Sequence, residues 1–213
     1  MMTIVYYTGH TGEPFFEQKI REELLKSSKG MKIVSVSQKP LDFGENICVG
    51  DVGKSHFNAW KQMKIGVENA KTKFVCMAED DTLYPEEYFE FVPPREDYLY
   101  VPKQCYVLFL GRKKSHSYFG RKQGSEGTII AGRDFLLRRL DKMYKGLDEW
   151  RTSDTLRLVL FKRNWTTFDL KTPVVVFKPK GNLHMKAPIR RGERLRSLPY
   201  WGDSINLSKR FTS

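Results

Sequence analysis

Phe74-Val75-Cys76-Met77-Ala78-Glu79-Asp80-Asp81-Thr82-Leu83-Tyr84-Pro85 is the stretch from which the fold follows. A short run with few polar atoms, long enough only for a buried strand, leads directly into three consecutive carboxylates, and Pro85 keeps the strand from continuing. Adjacent carboxylates repel one another, and a divalent cation among them relieves the repulsion. Hard oxygen ligands of this kind suit Mg²⁺ or Mn²⁺. An acidic turn left in water is the competing reading of the same letters.

Upstream, Ser55 is placed to cap a helix whose apolar face is Phe57, Trp60, Met63, Val67 and Ala70, and that helix feeds the strand at 74–77. Residues 3–7 read as an opening strand ending in Thr8-Gly9-His10-Thr11-Gly12, where small residues let a ligand approach the backbone. Glu13-Pro14 starts a helix with Phe16, Ile20, Leu24 and Leu25 on one face and Gly30 beyond its end, and residues 32–37 form a second strand. Residues 38–54 are polar and Gly-rich and read as a connection. Strand, helix and strand with short joints begin an α/β fold built on a parallel sheet. Ligands bind such sheets at the carboxyl ends of their strands. The loops carrying Thr8-Gly9-His10, Ser37-Gln38 and Glu79-Asp80-Asp81 therefore border one cleft.

The 213 residues suffice for one large domain. No apolar run is long enough to span a bilayer, and the amino terminus lacks a secretory pattern, so the expectation is an unexported cytoplasmic protein without a transmembrane segment. Cys48, Cys76 and Cys105 are odd in number and form no C-x-x-C pair, which argues for a reducing compartment and against structural zinc. The net charge of +12 is divided unevenly: residues 1–100 hold 12 Lys+Arg against 16 Asp+Glu, residues 101–177 hold 16 against 7, and residues 178–213 hold 9 against 2. A polyanion met by the second half, nucleic acid or an anionic membrane face, is the expected partner, with a generally basic protein as the alternative.

Lys54-Ser55-His56-Phe57-Asn58-Ala59-Trp60, then residues 65–75, then Ala78-Glu79-Asp80-Asp81-Thr82-Leu83-Tyr84-Pro85 together resemble the amino-terminal half of a glycosyltransferase of the GT-A fold, with Glu79 in place of the first Asp of an Asp-x-Asp motif. The resemblance implies a Rossmann-like mixed, mostly parallel sheet flanked by helices, in one catalytic domain over residues 1–213. Residues 1–101 would bind the nucleotide sugar, 102–186 would form the acceptor half, and 187–213 a basic terminal segment. It further implies that Asp81 holds Mn²⁺ or Mg²⁺ against the diphosphate of a UDP-sugar, while Glu79 or Asp80 faces ribose or the metal. Thr8, Gly9, His10 and Gln38 would surround the nucleobase and Lys54 the ribose or phosphate, all five placed by segment rather than by a specific motif. Chemically, departure of a nucleoside diphosphate leaves growing negative charge that a bridging cation stabilises without a proton.

Downstream, residues 98–101 and 105–110 read as further strands. Residues 111–124 interleave Arg112, Lys113, Lys114, Arg121 and Lys122 with Tyr118 and Phe119, a combination in which cations hold phosphate and an aromatic stacks on a base, or else a solvated loop. By the resemblance, residues 124–135 carry a Gly-containing strand followed by a helix over 133–145 with Phe135, Leu136, Leu140 and Met143 inward. An inverting transfer needs a carboxylate opposite the leaving group to take the acceptor's proton. Asp154 fits the family pattern best and Glu149 is the reserve, although Ser153 and Asp154 also make a good helix start. Residues 165–170 and 173–177 read as late strands. After them Gly181-Asn182-Leu183-His184 stands where a family histidine closes the metal site, so His184 joins Asp81 and Glu79 as an expected ligand. The segment from Ala187 is basic, with no regular period but with apolar anchors Leu195, Leu198, Tyr200, Trp201 and Ile205.

For the acceptor, the charge division and the small size suggest DNA, as in bacteriophage enzymes that glycosylate hydroxymethylated pyrimidines, where the base must be flipped into the cleft. The rivals are a GT-A enzyme of surface-polysaccharide or lipid-linked saccharide assembly, a non-catalytic DNA-binding protein, and a metal nuclease using Glu79, Asp80 and Asp81. The oligomeric state is not legible.

Overall fold

The computed structural model describes residues 2–10, 12–110, 117–122, 125–152, 163–179 and 194–212. Strand β1, Met2–Thr8, is buried at every position, as a central strand covered on both faces must be. Helix α1, Pro14–Ser28, begins with proline in its first turn and ends where Lys29 and Gly30 take left-handed conformations (φ 49° and 77°). Then come β2, Ile33–Ser37, and β3, Glu45–Cys48, inside the segment read from sequence as a connection. Ser55 caps α2, His56–Asn69, accepting from the backbone N–H of Asn58 at 3.0 Å. All five expected apolar positions of that helix are buried. Strand β4, Phe74–Glu79, runs further than expected and takes Glu79 into the sheet. Beyond the acidic turn lie β5, Thr82–Leu83, α3, Glu86–Glu90, β6, Leu99–Pro102, and β7, Cys105–Phe109. They are followed by β8, Phe119–Lys122, a single 3-10 turn at Glu126–Thr128, β9, Ile130–Gly132, and α4, Arg133–Tyr144. The last elements are β10, Trp165–Phe168, β11, Val174–Lys178, the short β12, Arg194–Leu195, β13, Ser197–Leu198, and β14, Gly202–Asp203, and α5, Ser204–Arg210.

Seven strands form the main sheet in the order β10-β6-β9-β4-β1-β2-β3, all pairs parallel except those of β9. The chain winds from β1 outward through β2 and β3, then returns to place β4 on the other side of β1. The order thus reverses between β1 and β4, and an α/β sheet has its binding crevice at such a reversal. Alternate residues of β1 serve two cores. Val5 and Tyr7 face Phe57, Trp60, Met63 and Val67 of α2 and Leu136 and Leu140 of α4. Ile4 and Tyr6 face a second sheet, ordered β12-β8-β7-β11-β5, through Val107, Phe109, Val174 and Val176. The far side of that second sheet packs on Phe16 and Ile20 of α1 and on Leu207 and Phe211 at the carboxyl-terminal end. Each such fully buried side chain stabilises the fold by roughly 1.5–3 kcal/mol.

Several sequence expectations change. Leu25 is 52% exposed and lies off the buried face of α1, and Phe135 is only partly buried. Phe119, one of two rings read as able to stack on a base unless the segment were a solvated loop, is a fully buried core residue of β8, so its ring packs against apolar neighbours. The basic terminal segment is partly folded: Leu198 and Trp201 are buried, and α5 is capped by the Asp203 carboxylate, which accepts from the N–H groups of Ile205 and Asn206. Tyr200, expected as an anchor, is 81% exposed, and Leu195 is 42% exposed. The three cysteines are free, Cys76 and Cys105 buried. Among the described residues no helix is long and apolar enough to cross a membrane.

Candidate active site

The register places the ends of three strands side by side: Thr8 opposite Ser37, and Tyr7 opposite Glu79. The crevice between β1 and β4 therefore receives Thr8, Glu79 and Asp80 directly. The Tyr7 hydroxyl donates to Glu79 Oε1 at 2.8 Å, and the Thr8 hydroxyl donates to Asp80 Oδ2. Asp81, 8% exposed, has its Oδ2 3.2 Å from Lys178 Nζ at the end of β11. Backbone pairing fixes that meeting: Val176 lies opposite Thr82, and the Phe177 N–H donates to the Asp81 carbonyl at 2.6 Å.

Desolvation sets the electrostatics. Burial, reinforced by the charge of Asp81, pushes the Glu79 carboxyl up to about 7 against the opposing pull of the Tyr7 hydrogen bond, Lys178 and Lys122. Burial and Asp81 push Asp80 up to about 8, opposed by the Thr8 hydrogen bond. Burial works against the charge of Lys178, but Asp81, then Glu79, outweigh it and hold the ammonium above its ordinary value. Glu79 and Asp80, though each keeps some exposed surface, thus sit in a partly desolvated setting rather than in a fully solvated turn.

Two residues not singled out in the sequence hold this cluster in place. The Tyr84 hydroxyl accepts from the Glu79 N–H at 3.0 Å and donates to the Gly127 carbonyl at 2.6 Å. Gly127 lies so close to the acid that a Cβ there would fall 2.2 Å from Glu79 Oε2. The β1 loop is held likewise. Gln62 of α2, buried, donates from Nε2 to the carbonyls of Thr8 (2.8 Å) and Val36 (3.0 Å). His10 has φ 50° and shares Nδ1 with Glu17 Oε2 at 3.2 Å, while its buried Nε2 has no hydrogen-bond partner among the described residues. A glutamine inside a helical apolar pattern and a lysine closing an apolar strand were the available sequence signals for Gln62 and Lys178.

The other expected site residues lie on the rim or beyond description. Gln38 is buried and donates to the Gly53 carbonyl at 3.0 Å, next to the exposed Lys54. Glu149 is exposed, in a segment tied to the start of α2: the Arg151 N–H donates to Asn58 Oδ1 at 2.9 Å and Ser55 Oγ donates to the Arg151 carbonyl at 2.5 Å. That segment therefore reaches the carboxyl-terminal side of the sheet. Asp154 and His184 lie outside the described residues, as do residues 111–116.

A divalent ion finds no ready set of ligands in this arrangement. Glu79, Asp80 and Asp81 each already face a different donor, a phenol, an alcohol and an ammonium. Among the described residues no three His, Cys, Asp or Glu side chains are disposed to hold one ion. The described donor set does not fit a metal held in common by these acids.

No protein-family model and no curated protein matches the sequence. Solved structures do. Residues 1–349 of TarS from S. aureus, in complex with UDP-GlcNAc, match at TM-score 0.54 with 13% identity, covering 85% of this chain and 59% of that one. The glycosyltransferase GlyE of Streptococcus pneumoniae TIGR4 matches at TM-score 0.44 with 12% identity over 78% of this chain and 44% of its own. A glycosyltransferase involved in glycosylation of the major capsid of PBCV-1 matches at TM-score 0.44 with 12% identity over 82% and 91%. The chain thus spans 59% of the length of that TarS structure. At 13% identity the likeness is one of fold alone, a mixed α/β fold with a mostly parallel central sheet flanked by helices.

Proposed function

We propose that this chain is a glycosyltransferase that takes its sugar from a nucleoside diphosphate, with UDP as the nucleotide, in the crevice between β1 and β4. One observation carries the reading: the strand order reverses where Tyr7 and Thr8 hydrogen-bond to Glu79 and Asp80, so the acidic turn and the β1 loop form one site. The fold shared with TarS, solved with UDP-GlcNAc, supports the same class of donor. His10 supports uracil as the base. With its Nδ1–H given to Glu17, neutral imidazole leaves Nε2 as a buried acceptor for a ring N–H.

The acceptor hydroxyl in this proposal belongs to a hydroxymethylated pyrimidine of DNA, and its proton goes to Asp154, with Glu149 in reserve. The support is the charge division, which concentrates cations in the second half of the chain, the half that would meet the acceptor. The test incubates the protein with a panel of radiolabelled UDP-sugars and three acceptors: hydroxymethylcytosine DNA, unmodified DNA and anionic vesicles carrying a saccharide lipid. Release of UDP with label on the hydroxymethylated DNA alone is the expected result. Label on the lipid would replace the acceptor and keep the donor. Breakdown of unmodified DNA with no donor consumed would replace the whole reading with a nuclease.

A further inference from the structure

Among the described residues Lys178 is the best-buried lysine of those in ion pairs. Its side chain is 11% exposed, against 40% or more for Lys19, Lys26, Lys29, Lys73 and Lys103 in theirs. A lysine is this buried only when paired, and its placement is not left to a flexible stem. β11 is hydrogen-bonded to β5 on the far side of the acidic turn, and the preceding residue is bonded to the Asp81 backbone. The contact with Asp81 Oδ2 at 3.2 Å holds the ammonium at the acidic turn itself. Of its three N–H donors, Asp81 accounts for one. A divalent ion entering here would have to displace that ammonium from Asp81 or share the space with it. It would also need the neighbouring carboxyls to give up their hydroxyl partners.

We infer that the Lys178 ammonium is the cation this site offers to the donor's diphosphate, in the place where the family resemblance leads one to expect Mn²⁺ or Mg²⁺. The inference rests on the donor reading proposed above. In the transfer, the bond between the anomeric carbon and the β-phosphate oxygen breaks and its electron pair stays on that oxygen. The acceptor oxygen bonds to the anomeric carbon and its proton passes to the base. Lys178 adds no atom to this balance; it holds the charge that arrives on the departing diphosphate, with Asp81 fixing its position.

Calorimetric titration of UDP into the full chain, first in EDTA and then in Mn²⁺, separates this inference from the reading it rests on. UDP binding in EDTA, little changed by Mn²⁺ and weakened about 30-fold or more by Lys178→Met, is the expected result. Binding that needs Mn²⁺ would overturn the role of Lys178 while leaving the donor site standing. No UDP binding in either buffer would remove the donor reading and this inference together. Lys178→Arg, which keeps the positive charge, should retain most of the binding and serves as the control for folding. A second readout needs no nucleotide: the electron paramagnetic resonance signal of free Mn²⁺ should persist with the wild-type protein and fall with Lys178→Met, where the acids lose their ammonium. Uptake of Mn²⁺ by the wild-type chain at micromolar concentration would also overturn the inference.

Discussion

At its amino end β4 begins beside Lys73, whose ammonium lies 2.7 Å from Glu96 with the two side chains 62% and 60% exposed. At its carboxyl end it finishes in Glu79, followed by Asp80 and by Asp81, whose carboxylate meets Lys178 with both side chains near 11% exposed. The two charge pairs have similar distances and opposite surroundings. Water screens the first, so it contributes almost nothing to either folding or binding. The second lies largely out of water where β11 meets β5, so its charges are little screened, and burial together with the Asp81 charge raises the carboxyl pKa values of Glu79 and Asp80. Desolvation, rather than the presence of charge, separates the candidate site from an ordinary surface.

The largest effect should follow from cutting the buried pair. Asp81→Asn leaves Lys178 without its charged partner and should lower donor turnover by about 10²–10³-fold, measured as UDP release, with the melting temperature as a check on folding. Gly127→Ala should come next. Its methyl group would strike Glu79 and shift it by a fraction of an ångström or more, and activity should drop about tenfold to a hundredfold with the fold retained. Wild-type activity in that variant would mean that the position of Glu79 is not set as described.

Sequence alone reached one side of this contrast far better than the other. Helix α2 was legible because Phe57, Trp60, Met63, Val67 and Ala70 repeat at helical spacing behind a Ser55 cap, and the acids were legible as a strand end. Strand β3 was not. Its residues are exposed or partly so and carry no apolar alternation, and it is held instead by Asn46, which donates to Ser35 Oγ at 2.8 Å and Ser37 Oγ at 3.0 Å. Leu25 and Phe119 misled for a related reason, since an apolar letter does not say which way it faces: one proved exposed and the other wholly buried. The site divides in the same way. Glu79, Asp80 and Asp81 stand next to one another in the chain, but their partners Tyr7, Thr8 and Lys178 come from segments 72 to 97 residues away and only sheet register brings them there. The antiparallel insertion of β9 between β4 and β6, which delivers Gly127, has no signature in composition or spacing.

The pH dependence of stability sharpens the contrast without any substrate. Folded, Asp80 keeps its proton to about 8 and Glu79 to about 7, whereas the unfolded chain releases both near the ordinary carboxylate value of about 4. Between those limits the folded state binds more protons, so stability should fall as pH rises from about 4 towards 8 and level off above that. Asp80→Asn should flatten most of the slope in thermal melts of the ligand-free protein. An unchanged slope in that variant would place the titrating groups elsewhere. The smallest effect belongs to the other end of the strand: Lys73→Ala and Glu96→Ala, singly and together, should show a coupling within about 0.5 kcal/mol of zero and leave turnover unchanged.

The most direct test is a crystal structure of the full chain with UDP. The diphosphate should lie in the crevice between the carboxyl ends of β1 and β4, with a phosphate oxygen within about 3.2 Å of Lys178 Nζ and a ring N–H of uracil on His10 Nε2. A nucleotide seated elsewhere on the sheet, or a diphosphate that leaves Lys178 bound to Asp81 alone, would contradict it.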